Sequence, residues 1–188
     1  FKASNFNYKG ALSFVGNKLD VAAKTNIDEV LFVFDNTIYI DKKSLNAEVD
    51  TQIDLDDLSL KFNKNKFVLA KFPFEVIGEI KLPNDEIDFD LKISSKNNQL
   101  ADLFSLVPVH FQQWYENTKI EGNSTFDFSL KGKMNESLKL NPDMKLVLQV
   151  SNGLINYNNG QFPIKNFNLN TNISLPELNP DSLEVYIS

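Results

Sequence analysis

Among the side chains that could form a metal-binding or catalytic site, the acidic ones are the most closely grouped in the sequence. They form two clusters, whose members are Asp54, Asp56 and Asp57, and then Asp85, Glu86, Asp88 and Asp90. A calcium-binding EF-hand loop needs a glycine at its sixth position and a glutamate at its twelfth, and neither cluster supplies them. Asp88 and Asp90 are two residues apart, so on a strand both point to the same outer face. We interpret the clusters as solvating charges and predict no metal site.

Other residues that carry chemistry are few. The chain of 188 residues has no cysteine, a single histidine (His110) and no arginine among its 19 cations. Disulfides, thiolate chemistry and zinc sites built on several cysteines or histidines are therefore excluded. Nothing near His110 suggests the ordered carboxylate and nucleophile that a general base would need. We predict no catalytic residue, no cofactor and no enzymatic activity; a carbohydrate-active pair of carboxylates is the enzymatic alternative.

The net charge of the chain limits the classes of molecule that it could bind. The chain carries 25 acidic residues against 19 lysines, a net charge of −6 at pH 7, and its pI is near 4.8. Nucleic-acid binders need a basic patch or stripe, so we predict no nucleic-acid partner. No apolar run approaches the roughly 18 residues of a membrane-spanning helix.

The elements that position the side chains are strands, because apolar residues recur with period two along most of the chain. The pattern is clearest in two runs separated by Pro83-Asn84-Asp85, a segment typical of a turn. The apolar residues of these runs should share one face and are the first candidates for an apolar binding wall: Phe74, Val76, Ile80 and Leu82, with Ile87, Phe89, Leu91 and Ile93. Two later runs supply the second candidates: Phe126, Phe128, Leu130, Leu146, Leu148 and Val150.

Polar dipeptides predict where the strands end. Residues 63–66 predict a turn between two apolar runs, and Asn152-Gly153 and Asn159-Gly160 predict hairpin turns, since Asn-Gly is a favoured hairpin dipeptide. One segment has helical spacing instead, through Leu100, Leu103, Phe104 and Val107. Pro108 should end this helix, and a second short helical turn is expected from Pro108 to Tyr115. The sequence thus predicts a helical insertion near residues 98–115.

These elements predict a mainly β domain over residues 1–188, with about a dozen strands and one or two short helices. A sheet with one apolar face must cover that face, and a short helix cannot cover all of it. Three solutions remain open: two sheets packed as a sandwich, closure into a barrel, or a long curled antiparallel sheet whose apolar groove holds an apolar ligand.

The order of several short motifs resembles the AsmA family, especially its Bacteroidetes type. The run Ala101-Asp102-Leu103-Phe104-Ser105-Leu106-Val107-Pro108 resembles the run of leucine, serine, leucine, isoleucine or valine, and proline in that family. It follows a strand that ends in Ser94-Ser95-Lys96 and precedes Ile120-Glu121-Gly122 and Lys131-Gly132, as in the family. The resemblance covers residues 30–188 and continues through Val150-Ser151-Asn152-Gly153 to Phe162-Pro163.

The resemblance implies a function that composition does not show. AsmA-like proteins are bridge-type lipid-transfer proteins, so the fourteen candidate residues would contact phospholipid acyl chains. The chain would be a periplasmic β-groove fragment of an inner-membrane-anchored protein involved in outer-membrane biogenesis. Envelope proteins or neighbouring repeats would be further partners. The alternative is a β-sandwich that serves as a non-enzymatic scaffold or assembly module of the cell envelope.

Overall fold

A computed structural model of the chain describes residues 2–34, 37–83, 85–107, 117–157 and 162–188. Ten strands and one short helix make up its regular structure: β1 (Lys2–Val15), β2 (Lys18–Phe34), β3 (Thr37–Asp54), β4 (Ser59–Leu69), β5 (Phe72–Lys81), β6 (Ile87–Gln99), α1 (Leu100–Phe104), β7 (Thr118–Met134), β8 (Asp143–Tyr157), β9 (Ile164–Leu175) and β10 (Glu184–Ile187). Two short 3-10 turns, Pro176–Leu178 and Pro180–Ser182, connect β9 to β10.

All ten strands belong to one antiparallel sheet. Each strand pairs with the next along the chain, in the spatial order β1 to β10. Within the described residues β1 does not pair with β10, so the sheet is open. The prediction of a mainly β, antiparallel fold with a short helix is confirmed. The two-sheet sandwich and the closed barrel are not formed in the part of the chain that the structure describes.

The strand register divides the side chains between two faces. Residues directly opposite each other on antiparallel strands point the same way, so each row of pairs belongs to one face. One row crosses β4 to β8 through Phe62, Gly78, Leu91, Leu130 and Met144. The next crosses β5 to β9 through Val76, Ile93, Phe128, Leu146 and Ile173. We call the face that carries these rows the apolar face.

The opposite face carries the charges, and we call it the charged face. Lysines and carboxylates oppose each other across neighbouring strands there. Lys92 lies 3.2 Å from Asp127, and Lys131 lies 3.3 Å from Asp90. Such exposed pairs each contribute only about 0–1 kcal/mol to stability. Their larger effect is that this face stays in contact with water. Apolar surface can therefore be buried only on the opposite face.

Two glycines inside the strands have backbone angles that other residues rarely adopt. Gly78 of β5 has a φ of +125°, and a Cβ there would lie 1.9 Å from the carbonyl oxygen of Asp90. Gly132 of β7 has a φ of +118°. L-residues rarely adopt such angles, and glycine within a strand marks a bend or a close approach of backbones. The two glycines pair with Leu91 and Phe89 of β6, so both of these unusual backbone positions lie in the middle of the sheet.

The predicted turn at residues 63–66 is wrong, because these residues lie inside β4 as a β-bulge. The Asn65 side chain is only 1% exposed, and its Oδ1 accepts a hydrogen bond from the backbone N–H of Asp50 in β3. Its Nδ2 donates to Thr51 Oγ1 at 2.7 Å. The asparagine therefore replaces the backbone pairing that the bulge interrupts, and the strand continues through it.

The predicted hairpin at Asn152-Gly153 is also wrong, because both residues lie within β8. The register shifts here, and Asn152 has a φ of 53°, which asparagine tolerates better than most residues. Its backbone N–H donates to Asn168 Oδ1 of β9 at 3.2 Å. Gly153 lies under the ring of Phe167. Turn-forming residues thus serve a bulge, which bends a strand without ending it.

The helical insertion begins two residues later than predicted, at Leu100. Asn98 and Gln99 are the last residues of β6, and α1 covers only Leu100–Phe104 before a turn that continues to Val107. The predicted turn at Pro83 forms, since the N–H of Glu86 donates to the Pro83 carbonyl at 3.1 Å. Several predictions lie outside the described residues: Asn84, His110, Asn159-Gly160 and the second helical turn from Pro108 to Tyr115.

Candidate ligand-binding face

The register brings the candidate residues together on the apolar face. Ile80 opposes Phe89, Leu91 opposes Leu130, and Phe126 opposes Leu148. Thirteen of the fourteen candidates lie in β5, β6, β7 and β8 on this face. The exception is Leu82, which follows the end of β5 and is exposed. The pairings make one continuous surface from residues that are up to 76 positions apart in the chain, between Phe74 and Val150.

The apolar face is only partly covered. Twelve of the candidates are half-buried, Val150 alone is buried and Leu82 is exposed. Half-burial is what neighbours within the same sheet provide, because adjacent side chains shield one another from the sides. A second layer of protein packed on the face would exclude water almost entirely, as in an ordinary core. Among the described residues, that second layer is present only near α1.

An aromatic cluster lies where β4, β5 and β7 approach one another. The ring centroids of Phe67 and Phe74 are 5.2 Å apart, and Phe72 meets Phe126 edge to face at 6.1 Å. Phe72 and Phe126 belong to strands separated by β6, whose backbones should lie roughly 9–10 Å apart. The rings lean towards each other over Ser95, which is small and buried. Phe67 and Phe72 were not among the fourteen candidate residues, although Phe67 continues the period-two pattern.

Polar groups beneath the aromatic cluster are satisfied internally. Ser95 Oγ donates to the carbonyl oxygen of Pro73 and accepts from Asn98 Nδ2. Ser124 Oγ lies 3.4 Å from the carbonyl oxygen of Asn98. These groups join β5, β6 and β7 at the base of α1. Because they are committed to one another, we assign them a structural role and not a role in orienting a ligand.

One end of the apolar face is covered by α1, which packs against β6 and β7. Between the segment 100–107 and strands β8 and β9 lies a cavity of about 420 Å³. Its sheet side is lined by Leu148, Val150, Ile155, Phe167 and Leu169. Only Leu148 and Val150 were among the candidates. The alternation of Phe167 and Leu169 indicated that these two residues share the face of a strand. It could not indicate that the segment 100–107 lies opposite them, because that contact joins distant parts of the chain.

The acidic clusters form turns and ion pairs. In the connection between β3 and β4, the carboxylate of Asp54 accepts the backbone N–H of Asp56 at 3.0 Å, and Asp57 accepts that of Ser59 at 3.1 Å. The Asp56 N–H, and then the ammonium of Lys18, hold the pKa of Asp54 below its usual range. In the part of the chain that is described, no three or more metal-ligating side chains converge.

Ion pairs also perturb groups on the charged face. Lys24 donates to the carboxylate of Glu48 and lowers the pKa of Glu48, with a smaller contribution from Lys66. Glu86 raises the pKa of Lys133, whose ammonium lies 2.7 Å away. These groups line a solvated surface and face away from the apolar rows. Their electrostatics therefore stabilise the ionised state of this surface.

Comparisons with protein families, with curated proteins and with solved structures found no match for this chain. Within the described ranges, no helix combines the length and the apolar content needed to cross a bilayer. In the described part of the chain, the side chains form a long, half-buried apolar face that α1 covers at one end, and the opposite face is charged.

Proposed function

We propose that this chain is a lipid-binding module whose apolar face contacts the acyl chains of phospholipid. The observation that carries the proposal is the half-burial of a continuous apolar face in an otherwise charged protein. Soluble proteins rarely leave contiguous apolar patches larger than a few hundred Å² in water, and larger ones mark sites for ligands, partners or membranes. Covering such surface is favourable by roughly 25 cal/mol per Å².

The chemistry of the face favours an acyl chain as the occupant. The central rows, from Leu91 to Leu130 and from Ile93 to Phe128, present only hydrocarbon, and the buried serines and Asn65 are already hydrogen-bonded. A polar ligand would lose its hydrogen bonds to water there without replacement, at a cost of roughly 1–3 kcal/mol for each group. An acyl chain has no such groups to lose. Recognition on this face would therefore depend on shape and hydrophobic contact.

The wider setting follows the resemblance to the AsmA family. We place the chain in the periplasm, as part of a protein anchored in the inner membrane, with a role in lipid transfer and outer-membrane biogenesis. Envelope proteins or neighbouring repeats are its proposed protein partners. No catalytic role is proposed.

A pair of single-cysteine variants tests the proposal, since the chain has no cysteine of its own. Leu91 lies on the apolar face opposite Gly78, and Ile77 lies on the charged face opposite Lys92, at the same level of the sheet. Leu91→Cys and Ile77→Cys would each carry an environment-sensitive fluorophore and be mixed with phosphatidylethanolamine and phosphatidylglycerol vesicles. We expect a blue shift and an intensity gain only at position 91.

Two results would contradict the proposal. Equal responses at positions 91 and 77 would indicate nonspecific adsorption to the vesicles. No response at position 91, in a variant whose circular dichroism and urea midpoint match the wild type, would mean that the face does not take up lipid. Native mass spectrometry of the gently purified protein provides a second measurement, in which co-purifying phospholipid is expected and should be reduced by Leu91→Asp but not by Ile77→Asp.

A further inference from the structure

The cavity beside α1 differs from the rest of the apolar face because it has walls on two sides. The segment 100–107 contributes one wall, through residues such as Leu103 and Leu106, and β8 and β9 contribute the other. Leu100, at the start of α1, is only 2% exposed and is the buried residue that fixes this helix to the sheet. The cavity therefore lies between a packed helix and the sheet.

The lining of the cavity restricts what can occupy it. Every lining residue is Leu, Val, Ile or Phe. A peptide segment inserted there would bury backbone N–H and C=O groups without partners, which costs several kcal/mol in an apolar site. A sugar or a phosphate would lose still more. A hydrocarbon chain fills the same volume without leaving any polar group unsatisfied.

The volume of the cavity suits one chain. An apolar cavity of about 150 Å³ accepts benzene, with its six carbons, so a cavity of about 420 Å³ has room for roughly seventeen carbons by the same proportion. Two acyl chains of ordinary length would need about twice that space. The cavity therefore matches the end of a single chain.

The cavity is continuous with the open rows of the apolar face. Leu148 lines it and also pairs with Phe126, while Val150 lines it and pairs with Ser124. Leu146, the next residue on this face of β8, pairs with Phe128 in the open rows. A chain that ends beside Val150 can therefore extend along β8 onto the open face without crossing a polar barrier.

We propose that the cavity between α1 and strands β8 and β9 holds the methyl end of one acyl chain and sets the longest chain that the site fully covers. This inference rests on the proposed lipid-binding function and adds to it a position for the chain terminus. The cavity would bind a single acyl chain. That chain could belong to a free fatty acid, a lysophospholipid or a diacyl phospholipid.

The test measures affinity against chain length for fatty acids of about 8 to 24 carbons, a range that extends beyond the limit expected from the cavity volume. The readout is displacement of a lipid that carries a fluorophore. Each added methylene should tighten binding about fourfold while it enters an apolar wall, which corresponds to the ~0.8 kcal/mol gained per buried methylene. Leu103→Trp fills the cavity, so the gain should stop at a chain several carbons shorter than in the wild type. Leu103→Ala enlarges the cavity and should move that limit to longer chains.

The control is Ile77→Trp, which adds the same ring on the charged face and should leave the length limit unchanged. Lysophosphatidylcholine and dipalmitoylphosphatidylcholine are titrated in parallel to identify the source of the chain. The same length limit for lysolipid and fatty acid would show that the headgroup lies outside the cavity. Tighter binding of the diacyl lipid would show that its second chain lies on the open face.

The outcomes separate this inference from the proposed function. If neither Leu103 variant moves the length limit while the fluorophore at position 91 still responds to vesicles, the cavity does not hold the chain end and the inference is overturned. If the fluorophore at position 91 does not respond to any lipid, the proposed function fails first. Should Leu103→Trp fail to fold, Leu103→Ala alone decides, since only a chain in the cavity would gain affinity from the added space.

Discussion

The two ends of the apolar face differ in how much of each side chain remains in water. Near α1, Val150 is 5% exposed because it has paired strands on both sides and the helix segment above it. On the edge strand β1, Leu12 is 61% exposed and Phe14 is 66% exposed, although both continue the same rows. The residue types are alike, so position in the sheet decides burial. An apolar residue on this face is thus a core residue at one end and a surface residue at the other.

The largest expected effect contrasts these two ends directly. Val150→Asp would bury an unpaired carboxylate, so it should lower the free energy of unfolding by more than about 4 kcal/mol or prevent folding. Leu12→Asp places the same charge on β1, where water reaches it, and should cost less than about 1 kcal/mol. Urea unfolding followed by circular dichroism measures both. Similar losses in the two variants would contradict the distinction between a covered end and an open edge.

A second prediction concerns the close approach of two backbones at Gly78, in the middle of the sheet. Gly78→Ala should cost more than about 3 kcal/mol, because the left-handed φ is strained and the new Cβ would meet the Asp90 carbonyl. Gly16→Ala is the matched control: Gly16 also has a positive φ, but its Cβ would enter open space, so about 1 kcal/mol is expected. Both are measured by urea unfolding. Equal costs would mean that the close approach at Gly78 does not constrain the sheet.

The bulge in β4 allows a third comparison, between a buried and an exposed polar side chain. Asn65→Ala would leave the Asp50 N–H and the Thr51 hydroxyl without their partner, so it should cost about 1–3 kcal/mol. Asn63→Ala removes only an exposed hydrogen bond to Asp50 and should stay within about 0.5 kcal/mol. Thermal unfolding distinguishes the two. A larger effect at Asn63 would refute the role assigned to the bulge.

The smallest effect on stability is expected from lowering the pH, which acts through Asp54 at the end of β3. The folded state lowers the pKa of Asp54, so its interactions stabilise the protein above the unfolded pKa and are lost as the pH falls through the lower, folded pKa. The urea midpoint should therefore decline on acidification. Asp54→Asn should make that decline less steep while leaving the response of the fluorophore at position 91 unchanged. An identical pH profile in the variant would show that Asp54 does not contribute.

Period-two alternation was sufficient to predict a mainly β, antiparallel fold, although with about a dozen strands where the described residues form ten, and to assign all candidate residues except Leu82 to one face. This succeeds because the side-chain period of a strand is a local property and each face has a single character. Turn signals were less reliable, since Asn65 and Asn152 lie in bulges within strands. The same side-chain amide and the same tolerance of a positive φ suit a turn or a bulge, and only the neighbouring strand decides which one forms.

The covered end could not be predicted in the same way. Leu103 and Phe104 showed helical spacing, and Phe167 and Leu169 showed strand alternation, but nothing local indicates that these segments face each other. That contact joins residues more than 60 positions apart and depends on the register of three intervening strand pairs. A short helix has little stability of its own, so tertiary packing determines where it lies.

The order of the strands has a consequence for how the protein can assemble and change. Each strand of the described sheet pairs with its chain neighbours, and the contacts between elements concentrate on consecutive strands. Such a chain can fold by adding one hairpin at a time, as in repeat proteins, and the longest connection to close is residues 100–117 between β6 and β7. A meander can also gain or lose a hairpin at an edge without rethreading the rest. The width of the apolar face can therefore change by two strands in a single event, while every other strand keeps its partners.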